Sequence, residues 1–264
     1  MKINRILGSI VLATLGMLGA VVCYSANVSP TQKAQIEEVV KNYLMQNPEV
    51  IVQAVQGLQQ KQIEQAKKSI QKTQETVTKY VPQIFGQATD PSVGNTKGTV
   101  VMTEFFDYQC PHCVAMTPVV EALVKSNSQL KVVFKEFPIR GPVSELAART
   151  ALAANLQGKY FEFHKALIAA SQRLSEDVIY STAKAVGLDV DKLKADAESA
   201  AIKKQVKDNI ELAQNLSLIG TPAFFVAKAS IVKDATPDPK GIAFIPGQID
   251  QSELAKVIDK IASE

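Results

Sequence analysis

Cys110-Pro111-His112-Cys113 brings two thiols and an imidazole together in one short stretch. Cysteines three positions apart on a helix share one face. They are close enough to form a disulfide, or for one thiol to attack the other's mixed disulfide. A thiol at the mouth of a helix meets unpaired backbone N–H groups and the positive end of the helix dipole, and both favour the thiolate. Pro111 suits the first helical position, where no N–H is needed. The implied chemistry is thiol–disulfide exchange, which needs no cofactor. Cys110, nearer the helix mouth and solvent, is the expected attacking thiolate, and Cys113, one turn in, the expected resolving thiol. His112 can donate a hydrogen bond to the Cys110 sulfur and, when protonated, adds positive charge beside it.

These residues need a strand before them and a helix after. An apolar run, Val100-Val101-Met102-Thr103-Glu104-Phe105-Phe106, supplies the first, and Val114 to Val124 has a helical pattern. A second strand follows at Leu130 to Phe137, so strand, helix and strand imply a parallel crossover. Most of Pro138 to Leu218 reads as helix, with a cap at Ser175, a stop at Gly187 and a short helix opened by Asp189. Strands resume at Ala223 to Ala227 and Gly241 to Ile245, and an amphipathic helix from Asp250 to about Ile261 closes the chain. Upstream, Thr31 to Tyr80 reads as helices broken at Asn47-Pro48. Ile63, Ile70 and Val77 recur at seven-residue spacing, a thin seam of the coiled-coil kind. Such a seam either packs back on the catalytic domain or pairs with another copy, and its polar surroundings favour an extended stalk. Val81 to Gly98, with its prolines and glycines, reads as a linker.

The chain has 264 residues, with 29 Lys and Arg against 26 Asp and Glu, for a net charge of +3. Lys2 and Arg5 carry part of that excess, so the rest of the chain is nearly neutral and offers no electrostatic case for binding nucleic acid. Those two residues, the uncharged apolar stretch Ile6 to Val22 and small residues at Ser25 and Ala26 read as an export signal. Were it retained, it would act as a membrane anchor. If it leaves with Cys23, only Cys110 and Cys113 remain, which is no disulfide-stapled scaffold. A zinc site would need both cysteines and both histidines together, and His164 sits far along the chain in Phe161-Glu162-Phe163-His164-Lys165, an expected core position. Lys135 and Glu136 read as a possible solvated pair.

Taken together, Glu104-Phe105-Phe106, Cys110-Pro111-His112-Cys113, Gln157-Gly158-Lys159-Tyr160-Phe161 and Gly220-Thr221-Pro222 before an apolar strand give a sequence that resembles the DsbA-like branch of the thioredoxin superfamily. The resemblance covers roughly Gly98 to Glu264. It implies an α/β thioredoxin-like fold with a helical insertion, here preceded by an N-terminal helical stalk. The expected divisions are a signal peptide at 1–25, a helical oligomerisation segment at 26–85 and the catalytic domain at 86–264, with the insertion at about 140–218.

The resemblance also implies a cis peptide bond at Thr221-Pro222 facing the cysteines, with the Thr221 backbone pairing with substrate. It places Glu104 beneath the site as a proton carrier for the buried thiol. Threonine before that proline departs from the oxidases most like C-P-H-C and is similar to the disulfide isomerases. The expected protein is a periplasmic thiol–disulfide oxidoreductase that forms or isomerises disulfides. Its partners would be cysteine-containing client proteins, a membrane redox partner and another copy of the chain, as a dimer, through the N-terminal helices. The alternative is a copper-binding or metal-handling protein that uses the same thiols, for which Met102 and Met116 offer poor support.

Overall fold

The computed structural model describes residues 29–171 and 174–263, so the expected leader at 1–25 lies outside the described residues. The chain divides into two compact units, Met1–Leu58 and Gln59–Glu264. The expected division after residue 85 and this one therefore fall in different places.

In the first unit, α1 spans Pro30–Gln46 and opens on a capping box. Ser29 accepts from the Gln32 backbone N–H, and the Gln32 side chain reaches back to the Ser29 N–H. Ser29 is therefore the cap, two residues ahead of the expected helical stretch. Asn47 closes the helix, and α2 begins at Glu49 and runs to Thr76. No residue of α1 is buried. Ile36, Val39, Val40, Tyr43, Ile51 and Val55 are exposed at the i, i+3, i+4 spacing of an apolar helical face.

The second unit is built on a five-stranded sheet. Its strands are β1 (Ser92–Gly94), β2 (Val100–Phe106), β3 (Leu130–Glu136), β4 (Ala223–Lys228) and β5 (Ile242–Pro246), in the order β1-β3-β2-β4-β5. Only β2 and β3 run parallel, joined through α4 (Pro111–Ser126), as the crossover pattern requires. All seven residues of β2 are buried, which explains its nearly continuous apolar run.

Alternation along β2 sends Val100, Met102 and Phe106 to the side covered by α4 and α10 (Gln251–Ser263), and Val101 and Phe105 to the other. Glu104 falls by the same alternation on the α4 side. The inserted block is α5 (Pro142–Leu156), α6 (Tyr160–Ala169), α7 (Glu176–Ala185), α8 (Val190–Ala197) and α9 (Ala200–Asn215). Buried alanines 147, 148, 151, 153 and 154 let neighbouring helices approach α5 closely. Ser175 and Asp189 cap α7 and α8 as their sequence positions predict.

The segment read as a linker is a structural element. Val77 and the short helix α3 (Val81–Phe85) bury Val81, Ile84 and Phe85 against Phe105 and Phe225. Asp90 pairs with Lys135 at 2.6 Å, both side chains being 2% exposed. Each ion offsets part of the other's desolvation cost, although burial still raises Asp90 and lowers Lys135. Lys135 and Glu136 are therefore both buried and are not a solvated pair. The C-terminal half of α2 joins the same unit. Thr73 donates to the Leu216 carbonyl and Ser69 to the Ser217 carbonyl, both at 2.5 Å.

Candidate active site

The loop from β2 to α4 is fixed by one carboxylate. Asp107 Oδ1 accepts from the Gln109 N–H at 2.7 Å and the Ser144 hydroxyl at 2.8 Å. Its Oδ2 accepts from the N–H groups of Ile139 and Arg140 at 2.7 and 3.0 Å. The Asp107 carbonyl accepts from the Cys110 N–H at 3.1 Å. The strand end, the first cysteine and the start of α5 are thus tied to a single residue. Sequence reasoning missed it, although a short acidic side chain directly after a strand and ahead of a helix is a recognisable turn signal.

Cys110 is the N-cap of α4 with Pro111 at the first helical position. Both cysteines are free thiols and each is 1% exposed. Whole-residue exposure does not separate them, but burial weighs far more on the Cys113 thiol than on Cys110. Cys110 is pulled down to about 4, chiefly by the Cys113 thiol, which donates to its sulfur. Thr221 and the backbone N–H groups of Cys113 and His112 add to this, while burial opposes it. Cys113 is pushed far up by burial, by that same hydrogen bond and by the charge of Glu104. One thiol is ionised at neutral pH and the other holds its proton.

Thr221-Pro222 is a cis peptide bond, and the Cys110 sulfur lies 3.2 Å from the Thr221 carbonyl oxygen, to which the protonated thiol donates. The Thr221 hydroxyl is buried with no hydrogen-bond partner among the described residues, which leaves it free to donate once Cys110 loses its proton. The Pro222 carbonyl accepts from the Gly247 N–H at 2.8 Å, where the positive φ of +87° suits glycine. Glu104 is pushed up to about 8, first by burial and then by the charge on Cys110.

His112 is arranged differently from the expectation. Its Nδ1 sits 2.9 Å from Gln248 Oε1, and its part in holding the thiolate comes through its backbone N–H. Gln248 was not foreseen, since a partner 136 positions away leaves no local trace. Cys113→Ala is therefore expected to raise the Cys110 titration midpoint more than His112→Ala does, as read by ultraviolet absorbance of the thiolate. The reverse order would put the imidazole back at the sulfur.

His164 carries no chemistry here, in keeping with its expected core position. It is packed among Phe106, Phe134, Tyr160 and Phe161, and burial drives it down to about 3. Its Nδ1 meets the Tyr108 hydroxyl at 3.2 Å, and Tyr108 and Tyr160 both donate to Glu136. Burial raises Glu136 well above the ordinary carboxylate range, so this cluster is neutral and satisfied. Met102 and Met116 are core residues. Among the described residues no group of three or more His, Cys, Asp or Glu side chains is arranged to hold a metal ion.

A helix-mouth thiolate, a protonated partner thiol and a cis-proline loop across from them define the exchange site of a thioredoxin-type oxidoreductase. Residues 101–259 match the DSBA-like thioredoxin domain, and the chain belongs to that family of thiol–disulfide oxidoreductases. Residues 32–65 match the N-terminal domain of the copper resistance protein ScsC.

Among solved structures, a thioredoxin-like oxidoreductase from Silicibacter pomeroyi is 36% identical with a TM-score of 0.61, covering 69% of this chain and 98% of that one. BcfH from Salmonella enterica Typhimurium is 34% identical with a TM-score of 0.63, covering 88% of this chain and 96% of that one. The Na(+)/H(+) antiporter NhaA 1 of Mycobacterium sp. strain KMS is 33% identical over 138 residues, which is 50% of this chain but 22% of the antiporter. The chain thus spans less than a quarter of that relative's length.

Proposed function

We propose that this chain is an exported enzyme that forms and isomerises disulfides in folding proteins through Cys110 and Cys113. The observation that carries the reading is the split between the two thiols, one drawn down to about 4 and the other pushed far up. In the oxidised protein a client thiolate attacks Cys110, so that a client–Cys110 bond forms and the Cys110–Cys113 bond breaks. Cys113 is a poor leaving group unless it takes up a proton, and Glu104, poised near 8, is the acid on the same side of the sheet that supplies it. A second client thiolate then displaces Cys110, which leaves readily as a thiolate. Glu104→Gln is expected to slow exchange several-fold at neutral pH and to flatten its pH profile near 8. Equal rates and profiles would remove Glu104 from the mechanism.

Two features extend the reading toward isomerisation, which requires a reduced pair. Thr221 stands before the cis-proline, and the exposed apolar face along α1 and the start of α2 suits pairing with another copy, as a dimer. A membrane redox partner would set the oxidation state. No helix among the described residues is long and apolar enough to cross a membrane. The test is a refolding assay on the full chain, with a reduced client and with one whose disulfides are scrambled. Activity on the reduced client alone would make the protein an oxidase, and inactivity on both would overturn the proposal.

A further inference from the structure

The bend between β5 and α10 touches both halves of the reacting centre. Gly247 donates its N–H to the Pro222 carbonyl at 2.8 Å, which fixes the backbone next to Gln248. Gln248 then sets its Oε1 2.9 Å from His112 Nδ1. An amide oxygen only accepts, so Nδ1 carries the hydrogen of this bond. A neutral imidazole has one N–H, so Nε2 of the same ring is left as an acceptor. Held this way, the ring has no N–H to offer a sulfur. His112 nonetheless lies close to Cys110, because its backbone N–H helps to hold the thiolate. The His112 and Gln248 side chains are both exposed, which leaves the imidazole room to turn.

We propose that Gln248 is a positioning residue that holds the His112 imidazole off the Cys110 sulfur and so limits how oxidising the disulfide is. The inference rests on the thiol-exchange reading above and adds to it a residue that sets the reduction potential. Gln248 and the thiolate compete for one hydrogen, the one on Nδ1. The thiolate already has the Cys113 thiol, Thr221 and two backbone N–H groups as donors. Each successive donor meets a charge that is further neutralised, so a fifth is the easiest for a rival acceptor to draw away. With the amide removed, the ring is free to turn and give its hydrogen to the sulfur. A thiolate gains from that bond, whereas a disulfide, which carries no charge, does not. The reduced protein is then stabilised.

The test is a double-mutant cycle on the full chain, read as its equilibrium with glutathione. There two glutathione thiols join through a new disulfide bond, the Cys110–Cys113 bond breaks, and two electrons pass to the protein. The two thiol hydrogens go with them, and the one destined for Cys110 is released to solvent at neutral pH. Gln248→Ala is expected to raise the equilibrium constant for reduction roughly fivefold, less than the tenfold or so of a full hydrogen bond to a charged group. That is about 20 mV toward a more oxidising disulfide. In the His112→Ala background the same substitution should change nothing, because no ring remains to be released. A merely structural role for Gln248, through Gly247 and the cis-proline loop, would give the same shift with or without His112.

An unchanged constant in Gln248→Ala, or a shift toward a less oxidising disulfide, would overturn the proposal. So would a shift that persists without the imidazole. The unaltered protein supplies a reading that does not depend on how the variant folds. The chain has two histidines, and the ring signal lost in His112→Ala identifies the one of interest. Nitrogen NMR spectra of the reduced and of the oxidised protein at alkaline pH should place its hydrogen on Nδ1. A hydrogen on Nε2 in either form would overturn the proposal. Failure of the unaltered protein to equilibrate with glutathione would instead overturn the underlying thiol-exchange reading, and this inference with it.

Discussion

Cys110→Ser is expected to abolish exchange with clients and with glutathione. The loss should be roughly a thousandfold or more, the scale seen when an enzyme's covalent nucleophile is removed. The reason is local. Every group that favours ionisation here points at one sulfur, namely the Cys113 thiol, Thr221 and two backbone N–H groups. A serine hydroxyl in the same place stays protonated and does not react with a disulfide.

Cys113→Ser should behave in the opposite sense. Attack by Cys110 survives while resolution is lost, so mixed disulfides with clients accumulate and appear as a mass shift under non-reducing conditions. Trapping through Cys113 in the Cys110→Ser protein, at comparable speed, would reverse the two roles.

The second large effect is on the reduction potential. An ordinary cysteine titrates near 9.0, whereas Cys110 is drawn down to about 4. For an acid with a depressed value, the stabilisation of the reduced protein is absent below about 4, grows as pH rises, and is complete once an ordinary thiol would also ionise. At pH 7 it corresponds to about three tenfold factors, or roughly 90 mV toward a more oxidising disulfide.

The pH dependence supplies the sharper measurement. Between about pH 5 and 7, reduction takes up one proton, on Cys113, so the potential should fall by about 30 mV per pH unit. Below about 4 both thiols are protonated, and the slope should steepen to about 59 mV per unit. A slope of about 59 mV per unit across pH 5 to 7 would mean that Cys110 is an ordinary thiol.

Much of this molecule was legible in its sequence because its signals are local. The apolar run 100–106, the C-x-x-C turn and the caps at Ser175 and Asp189 each depend on residues a few positions apart. The placement of Glu104 beneath the site comes from the family resemblance, and the alternation along β2 agrees with it.

What could not be read depends on distant partners. Nothing near His112 announces Gln248, and nothing near Lys135 announces Asp90. The segment 81–98 has the prolines and glycines of a connector. Its few apolar residues mattered because a bare sheet face lay waiting for them, a fact written elsewhere in the chain. The seam through Ile63, Ile70 and Val77 reads two ways for the same reason. Its later members are taken up by the catalytic unit, while Ile63 stays exposed.

That division governs how the protein can be cut. A shortened chain begun at Gly86 discards Val77, Val81, Ile84 and Phe85, strips the covering from Phe105 and Phe225, and loses the Ser69 and Thr73 hydroxyls that hold the Ser217 and Leu216 carbonyls ahead of the cis-proline loop. Its inactivity would report a damaged enzyme and say nothing about assembly. A cut before Gln59 would separate the two questions, because the excised α1 and start of α2 carry none of the residues that cover the sheet.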